Sequence, residues 1–380
     1  MLVSSFWGGP RTLAKNERIA ELDGIRAIAI WMVLLFHSIF AFYDSPETLK
    51  FLPGPVLHIL SLGFLGVDLF FVLSGFLITG ILFDAKDRPF YFRNFYARRI
   101  RRIMPLYFTV VAIWACLYRR FWQYFLLSSV FGANLAMPLH IPIPHGPGVL
   151  WSLAVEEHFY LLWPIAVLLL NRRAFLILSI TIFLGCPAVR AVFAARGMDR
   201  VLVHDLSWFR FDGLAAGAIL AMWARSRVCT KKISLVIAGS LLFAFAFIEF
   251  IGPRFGHTAS SALNFSRTYL IFAAFFVLAF AYRGTPWTQF LRNRFMRFSA
   301  TLSYCLYLIH LSIGDGCTYL IRHQNLITMS PTGLLWLRAA VMIGVSFVVA
   351  ALSWKYFERP ILMPLSGSPQ NLESRQAAFA

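Results

Sequence analysis

Residues 21–42 have the sequence ELDGIRAIAIWMVLLFHSIFAF, an apolar run that contains Arg26 and His37. Its length is enough to cross the roughly 30 Å hydrocarbon layer of a bilayer as an α-helix. Arg26 and His37 are eleven positions apart. In an α-helix this spacing is three turns plus about 20°, so both side chains lie on one face of the helix, about 16 Å apart along its axis. Ionisable groups inside a span are costly and indicate function. The alternative is an arginine that snorkels to the interface and a hydrogen-bonded core histidine.

The composition of the whole chain indicates a membrane protein. Of its 380 residues, 59% are hydrophobic and 14% are charged, which is too apolar for a soluble domain of this size. The net charge of +18 would suit nucleic acid, but the lysines and arginines cluster between the apolar runs. That clustering is typical of orientation signals and anionic-lipid contacts, so we expect the lipid bilayer, and no nucleic acid, as a partner. The five cysteines show no metal-ligand spacing, so no metal site is predicted.

Ten apolar segments predict an all-α bundle of about ten transmembrane helices in a single membrane domain, residues 21–360. Residues 1–20 are expected to form a cytoplasmic segment and residues 361–380 a disordered cytoplasmic tail. The shorter apolar piece at residues 121–136 predicts an interfacial or re-entrant helix. The predicted spans are residues 22–42, 56–83, 103–117, 150–170, 174–193, 208–223, 233–251, 264–281, 301–321 and 334–357.

The distribution of positive charge predicts how the bundle is oriented. If the N-terminus is cytoplasmic, 24 of the 35 lysines and arginines lie on the cytoplasmic side and 11 on the other. This bias favours both termini inside, and the basic segment at residues 86–102 carries much of it.

Four blocks in order resemble a known family. They are LDGIRAIAIWMVLLFH at residues 22–37, GVDLFFVLSGFLIT at 66–79, ARRIRRIMPLY at 97–107 and WSLAVEEHFYLLWP at 151–164. Weaker matches are RFDGLAAG at 210–217, SYCLYLIH at 303–310 and YFERP at 356–360. Together they resemble the bacterial acyltransferase-3 family, integral membrane O-acyltransferases of carbohydrates. The resemblance implies acyl-CoA, most often acetyl-CoA, as co-substrate without a bound cofactor. It also implies a polysaccharide, oligosaccharide or glycolipid acceptor and the bacterial inner membrane.

Acyl transfer needs a base for the attacking hydroxyl and a group that orients the base. His37 is the candidate base, because the reference pKa of histidine lies near neutrality. The family pattern WSL-x-x-E-x-x-FY places the orienting role on Glu156. Glu157 is rotated by 100° and is expected to face away. Either acid can instead be structural, bonded to Tyr160 or Trp151.

The basic segment predicts a phosphate site for acyl-CoA. Guanidinium groups suit phosphates, so we expect Arg98, Arg99 and Arg102 to bind acyl-CoA together with Arg26. A pantetheine arm can then span the three turns from Arg26 to His37. The alternative is that these arginines only anchor the topology.

Six further polar residues have open roles, as acceptor contacts or as structural groups: Asp68, Glu157, Tyr160, Arg210, Asp212 and His310. Arg210 and Asp212 can pair with each other or contact the acceptor, and His310 is expected to be a structural histidine. Glycines 63, 66 and 75, with Ser74, predict close helix packing. A transporter or flippase of a lipid-linked saccharide is the alternative function, although the halves of the chain show no internal symmetry.

Overall fold

The structure, a computed structural model, describes residues 19–41, 49–198, 200–226, 229–251, 254, 256–323 and 330–363. The predicted all-α class is confirmed, because these residues form helices and no strand. The predicted N-terminal segment and C-terminal tail lie almost entirely outside the described residues.

The described residues form fourteen α-helices, and several of the segments between them contain 3-10 helices. A π-helical turn, Trp354–Glu358, joins the last two. The helices are α1 Ala20–Phe40, α2 Gly54–Ser61, α3 Gly66–Ala85, α4 Tyr91–Leu117, α5 Trp122–Ser129, α6 Leu150–Leu169, α7 Arg172–Ala195, α8 Arg200–Asp205, α9 Phe211–Ala224, α10 Lys231–Ile251, α11 Gly256–Ala281, α12 Arg294–His323, α13 Pro331–Ser353 and α14 Arg359–Leu362.

Eight described segments are long and apolar enough to cross a membrane. They are Ala20–Phe40, Gly54–Ala85, Tyr91–Leu117, Gly146–Leu169, Arg172–Ala195, Lys231–Ile251, Ala262–Ala281 and Pro331–Leu362. The other two predicted spans fall on α9, which has only 14 residues, and on α12, which has 30 but carries many polar residues. The chain is therefore a multi-pass helical membrane protein.

Small residues bring α3 close to two neighbours, as predicted. A Cβ on Gly75 of α3 would collide with the backbone of Leu214 in α9, and one on Gly217 of α9 would collide with the backbone of α3. Gly63 and Gly66 meet the backbone of α1 in the same way. Helix α3 is thus packed closely between α1 and α9.

The predicted interfacial piece at residues 121–136 contains α5, whose eight residues are too short to cross a bilayer. The Tyr107 hydroxyl of α4 donates to the Ser128 carbonyl of this piece at 2.8 Å. The Tyr124 hydroxyl donates to the Pro147 carbonyl at 3.0 Å. These bonds fix the proline-rich loop that leads into α6.

Candidate active site

Side chains from five helices, α1, α3, α4, α6 and α12, line a partly open cavity inside the bundle. Four ionisable side chains line it beside Tyr160: Arg26 of α1, Arg99 and Arg102 of α4, and Glu156 of α6. The rest of the wall is mainly apolar, with Phe70, Phe71, Leu77, Ile81 and Leu153 among its residues. The cavity therefore combines a basic lining with an apolar wall, a combination suited to an amphipathic anion.

The three arginines come from two helices and converge. Arg99 and Arg102 are three residues apart and so lie on one face of α4. The Arg99 guanidinium stacks over the Tyr160 ring, with its carbon 4.7 Å from the ring centroid. Arg98, predicted to act with them, is exposed and does not line the cavity. Rotation of α4 thus places residues 99 and 102 inside and leaves residue 98 outside.

Glu156 is held by hydroxyl groups. The Ser74 hydroxyl donates to Oε1 at 2.7 Å, and the Tyr160 hydroxyl donates to Oε2 at 3.2 Å. The Tyr160 hydroxyl also lies 3.2 Å from the Ser74 oxygen. Glu157 is half-buried and does not line the cavity, as its 100° rotation predicted. Ser74 was predicted only as a packing residue, and its role as a partner of Glu156 was missed.

His37 lies beside a second histidine. Nδ1 of His37 is 3.1 Å from Nε2 of His310 and 3.0 Å from the Val33 carbonyl oxygen. The two rings have centroids 5.0 Å apart. Among the described residues, the side-chain hydrogen-bond partner of His37 is therefore His310, whereas the two Glu156 oxygens are bonded to Ser74 and Tyr160.

Tyr307 connects the histidine pair with the cavity. It lines the cavity, and its ring centroid lies 6.0 Å from that of His310. Its hydroxyl lies 2.5 Å from the hydroxyl of Ser152, another cavity residue. Neither histidine is itself a lining residue, but His310 lies one helical turn after Tyr307, so the pair lies next to the α12 wall of the cavity.

Asp68, Arg210 and Asp212 belong to a different region. Arg210 bonds Asp68 at 2.5 Å, and the Tyr269 hydroxyl donates to the same Asp68 oxygen at 2.9 Å. Asp212 pairs with Arg190 of α7 at 2.7 Å. The alternative that Arg210 and Asp212 pair with each other is therefore wrong.

Both pairs are almost fully buried and tie α3, α7, α9 and α11 together. We call these four residues, Asp68, Arg190, Arg210 and Asp212, the ion-pair frame. None of them lines the cavity. Arg190 was not singled out from the sequence, since its pairing with α9 depends on tertiary packing.

The proline-rich loop before α6 is attached to α12 by an ion pair. Nδ1 of His145 lies 2.7 Å from Oδ1 of Asp315. This hydrogen bond raises the pKa of His145 above its usual value. The loop and the end of α12 that follows His310 are thereby linked through a titratable group.

A basic, partly apolar cavity among membrane-spanning helices, bordered by a histidine pair, defines a multi-pass membrane protein with a polar site inside the bundle. Residues 19–355 match the family model described as an acyltransferase domain. The chain therefore belongs to this acyltransferase-3 family.

Three curated relatives illustrate the similarity. Peptidoglycan O-acetyltransferase OatA of Listeria monocytogenes is 26% identical over 381 aligned positions, covering 92% of this chain and 57% of the relative. Putative peptidoglycan O-acetyltransferase YrhL of Bacillus subtilis is 30% identical over 245 positions, covering 57% and 35%. O-acetyltransferase OatA of Staphylococcus aureus is 29% identical over 327 positions, covering 77% and 50%.

The chain spans about half the length of these relatives. No solved structure shows significant similarity to it.

Proposed function

We propose that this protein transfers an acyl group, preferentially acetyl, from cytoplasmic acyl-CoA to a hydroxyl of a cell-surface or exported carbohydrate. The observation that carries the proposal is the cavity, in which three arginines face one glutamate and a histidine pair borders the wall. The names of the relatives suggest peptidoglycan as the first acceptor to test. The bacterial inner membrane, with both termini cytoplasmic, is the location we propose.

The donor fits the cavity chemically. Coenzyme A carries phosphate groups, which guanidinium groups bind through charge-assisted hydrogen bonds. Arg26, Arg99 and Arg102 would bind these phosphates, and the apolar wall would accommodate the pantetheine arm. Arg26 lies about 16 Å from His37 along α1, so the arm can present its thioester near the histidine pair.

The chemical step uses His37 as general base. Its imidazole removes the proton of the acceptor hydroxyl while the oxygen attacks the thioester carbonyl. A carbon–oxygen bond forms, the carbon–sulfur bond breaks, and the proton passes from the imidazolium to the departing thiolate. Glu156 keeps the Ser74 and Tyr160 hydroxyls in place at the centre of the cavity.

The test is transfer by purified protein in nanodiscs. Acetyl-CoA carrying a labelled acetyl group is supplied with a peptidoglycan fragment, and released thiol and acetylated glycan are measured by absorbance and mass spectrometry. We expect both products from the wild type and a loss of about 10²–10⁴-fold in His37→Ala, the range that a general base contributes. His58→Ala, on the short helix α2, is the matched histidine control.

Equal turnover by His37→Ala and wild type at equal folded protein would refute the base assignment. Movement of a lipid-linked saccharide without thiol release would instead favour a transporter.

A further inference from the structure

His310 has its hydrogen-bonding capacity fixed by its own helix. The side chain is fully buried, and its Nδ1 lies 2.9 Å from the Tyr307 carbonyl oxygen and 3.0 Å from that of Leu306. A carbonyl oxygen only accepts hydrogen bonds, so Nδ1 of His310 must carry a hydrogen. A neutral imidazole carries only one, which leaves Nε2 of His310 as an acceptor.

The same reasoning extends to His37. Nδ1 of His37 is 3.1 Å from the acceptor Nε2 of His310 and 3.0 Å from the carbonyl oxygen of Val33. Both neighbours accept, so Nδ1 of His37 carries the hydrogen and shares it between them. The lone pair of His37 is then on Nε2, which has no hydrogen-bond partner among the described residues.

We propose that His310 is the positioning residue of the base: it holds His37 in the tautomer whose Nε2 can remove a proton. The proposal rests on the proposed function, in which His37 is that base. A carboxylate bonded to Nδ1 of the base does this work in serine hydrolases. Here a neutral imidazole supplies the acceptor, and the backbone carbonyls of α12 fix that imidazole in turn.

This arrangement assigns a place to each proton during transfer. The acceptor hydroxyl gives its proton to Nε2 of His37, and the resulting imidazolium keeps its Nδ1 hydrogen on Nε2 of His310. The proton on Nε2 then passes to the thiolate as coenzyme A leaves. His310 neither gains nor loses a proton, and it touches no substrate atom.

The arrangement also accounts for the position of Glu156. Its two oxygens accept hydrogen bonds from Ser74 and Tyr160. Glu156 therefore holds side chains of the cavity in place, whereas His310 of α12 orients His37. The motif SYCLYLIH occupies residues 303–310. Its Ser303, Tyr304 and Tyr307 line the cavity, and its His310 contacts the base His37.

Three variants separate positioning from packing. His310→Phe fills the space without an acceptor and should lower kcat by about 10²-fold, with an unchanged KM for acetyl-CoA. His310→Gln offers an amide oxygen to His37 and should recover much of that loss. His323→Phe, at the exposed end of the same helix, is the matched control and should keep wild-type kcat. Thermal unfolding checks that all three variants fold.

A spectroscopic measurement tests the tautomer without any activity. Protein labelled with ¹⁵N-histidine is examined by solid-state NMR in bilayers, and the His37 signals are assigned by their absence in His37→Ala. We expect His37 in the wild type to be protonated at Nδ1 and unprotonated at Nε2, and we expect His310→Phe to abolish this preference.

Two results would overturn the proposal: an Nε2-protonated His37 in the wild type, or full kcat in His310→Phe. Full activity in His37→Ala would instead overturn the proposed function and leave the measured tautomer standing.

Discussion

Arginines and carboxylates meet in two regions of this protein, with different stoichiometry. In the ion-pair frame, each buried arginine bonds one aspartate, at 2.5 Å for Arg210 and 2.7 Å for Arg190. In the cavity, three arginines face a single glutamate that is bonded to hydroxyl groups. No ion pair to Arg26, Arg99 or Arg102 occurs among the described residues. Matched charges hold helices together, whereas the surplus of positive charge in the cavity remains available to an anionic ligand.

The largest effect is expected in the ion-pair frame. Asp212→Ala leaves Arg190 buried without its counter-charge and should lower the free energy of unfolding by about 3–5 kcal/mol. Asp84→Ala is the matched control, because it removes an aspartate from an ion pair to Arg225 in which the Asp84 side chain is 58% exposed. Such exposed pairs contribute about 0–1 kcal/mol.

Denaturant or thermal unfolding in mixed micelles measures both variants. Equal losses of stability would show that burial does not distinguish the two pairs.

The next effect concerns the carboxylate of the cavity. Glu156→Gln keeps the shape but weakens two hydrogen bonds to a charged acceptor, each worth about 1.5–3 kcal/mol. We therefore expect kcat/KM to fall by about 10–100-fold, together with a fall in the unfolding temperature. Glu157→Gln, one residue away and outside the cavity, should change kcat/KM less than about threefold. The reverse order would show that Glu157 is the functional acid.

A smaller effect is expected when lysine replaces a cavity arginine. Lysine keeps the positive charge but lacks the planar guanidinium group, which can donate two parallel hydrogen bonds to a phosphate. Arg99→Lys and Arg102→Lys should each raise the KM for acetyl-CoA about tenfold, since one hydrogen bond of about 1.4 kcal/mol is lost. Arg98→Lys is the control, because Arg98 is exposed on the same helix and outside the cavity.

The measurement is a KM titration on protein whose topology is verified by cysteine labelling. Unchanged KM values in all three lysine variants would show that the basic segment, residues 86–102, only fixes the membrane topology.

The smallest effect concerns pH and the loop before α6. Because Asp315 raises the pKa of His145, protonated His145 stabilises the folded state. That stabilisation is complete below the unfolded pKa of about 6.5 and is lost as the pH rises through the higher folded pKa. The difference in Tm between wild type and His145→Gln should therefore shrink from pH 6 to pH 9. A constant difference over this range would exclude the ion pair as its source.

The sequence predicted local features well, because helical periodicity and hydropathy depend on neighbouring residues. It placed all ten apolar segments on helices and selected Arg26, Arg99, Arg102 and Glu156, which meet in one cavity. It also selected Arg98, which lies outside the cavity. Arg98 and Arg99 both lie on plausible faces of α4, and only packing fixes the rotation of that helix.

Partners distant in sequence were the features that the sequence could not supply. His310 is 273 residues from His37, and Ser74 is 82 residues from Glu156. The hydrophobic periodicity of one helix does not indicate which other helix packs against it. The same limit explains why Arg210 was linked to nearby Asp212, when its partner is Asp68 on α3.

Two consecutive residues of α3 face the two regions compared above. Ser74 supports the carboxylate in the cavity, and Gly75 presses against the backbone of α9, whose first turn contains Asp212 of the ion-pair frame. Because both regions share this helix, a shift of the ion-pair frame would also move Ser74 and the cavity wall. A side chain at position 75 would push α9 away, so a screen for inactive mutants should recover Gly75 although it does not line the cavity.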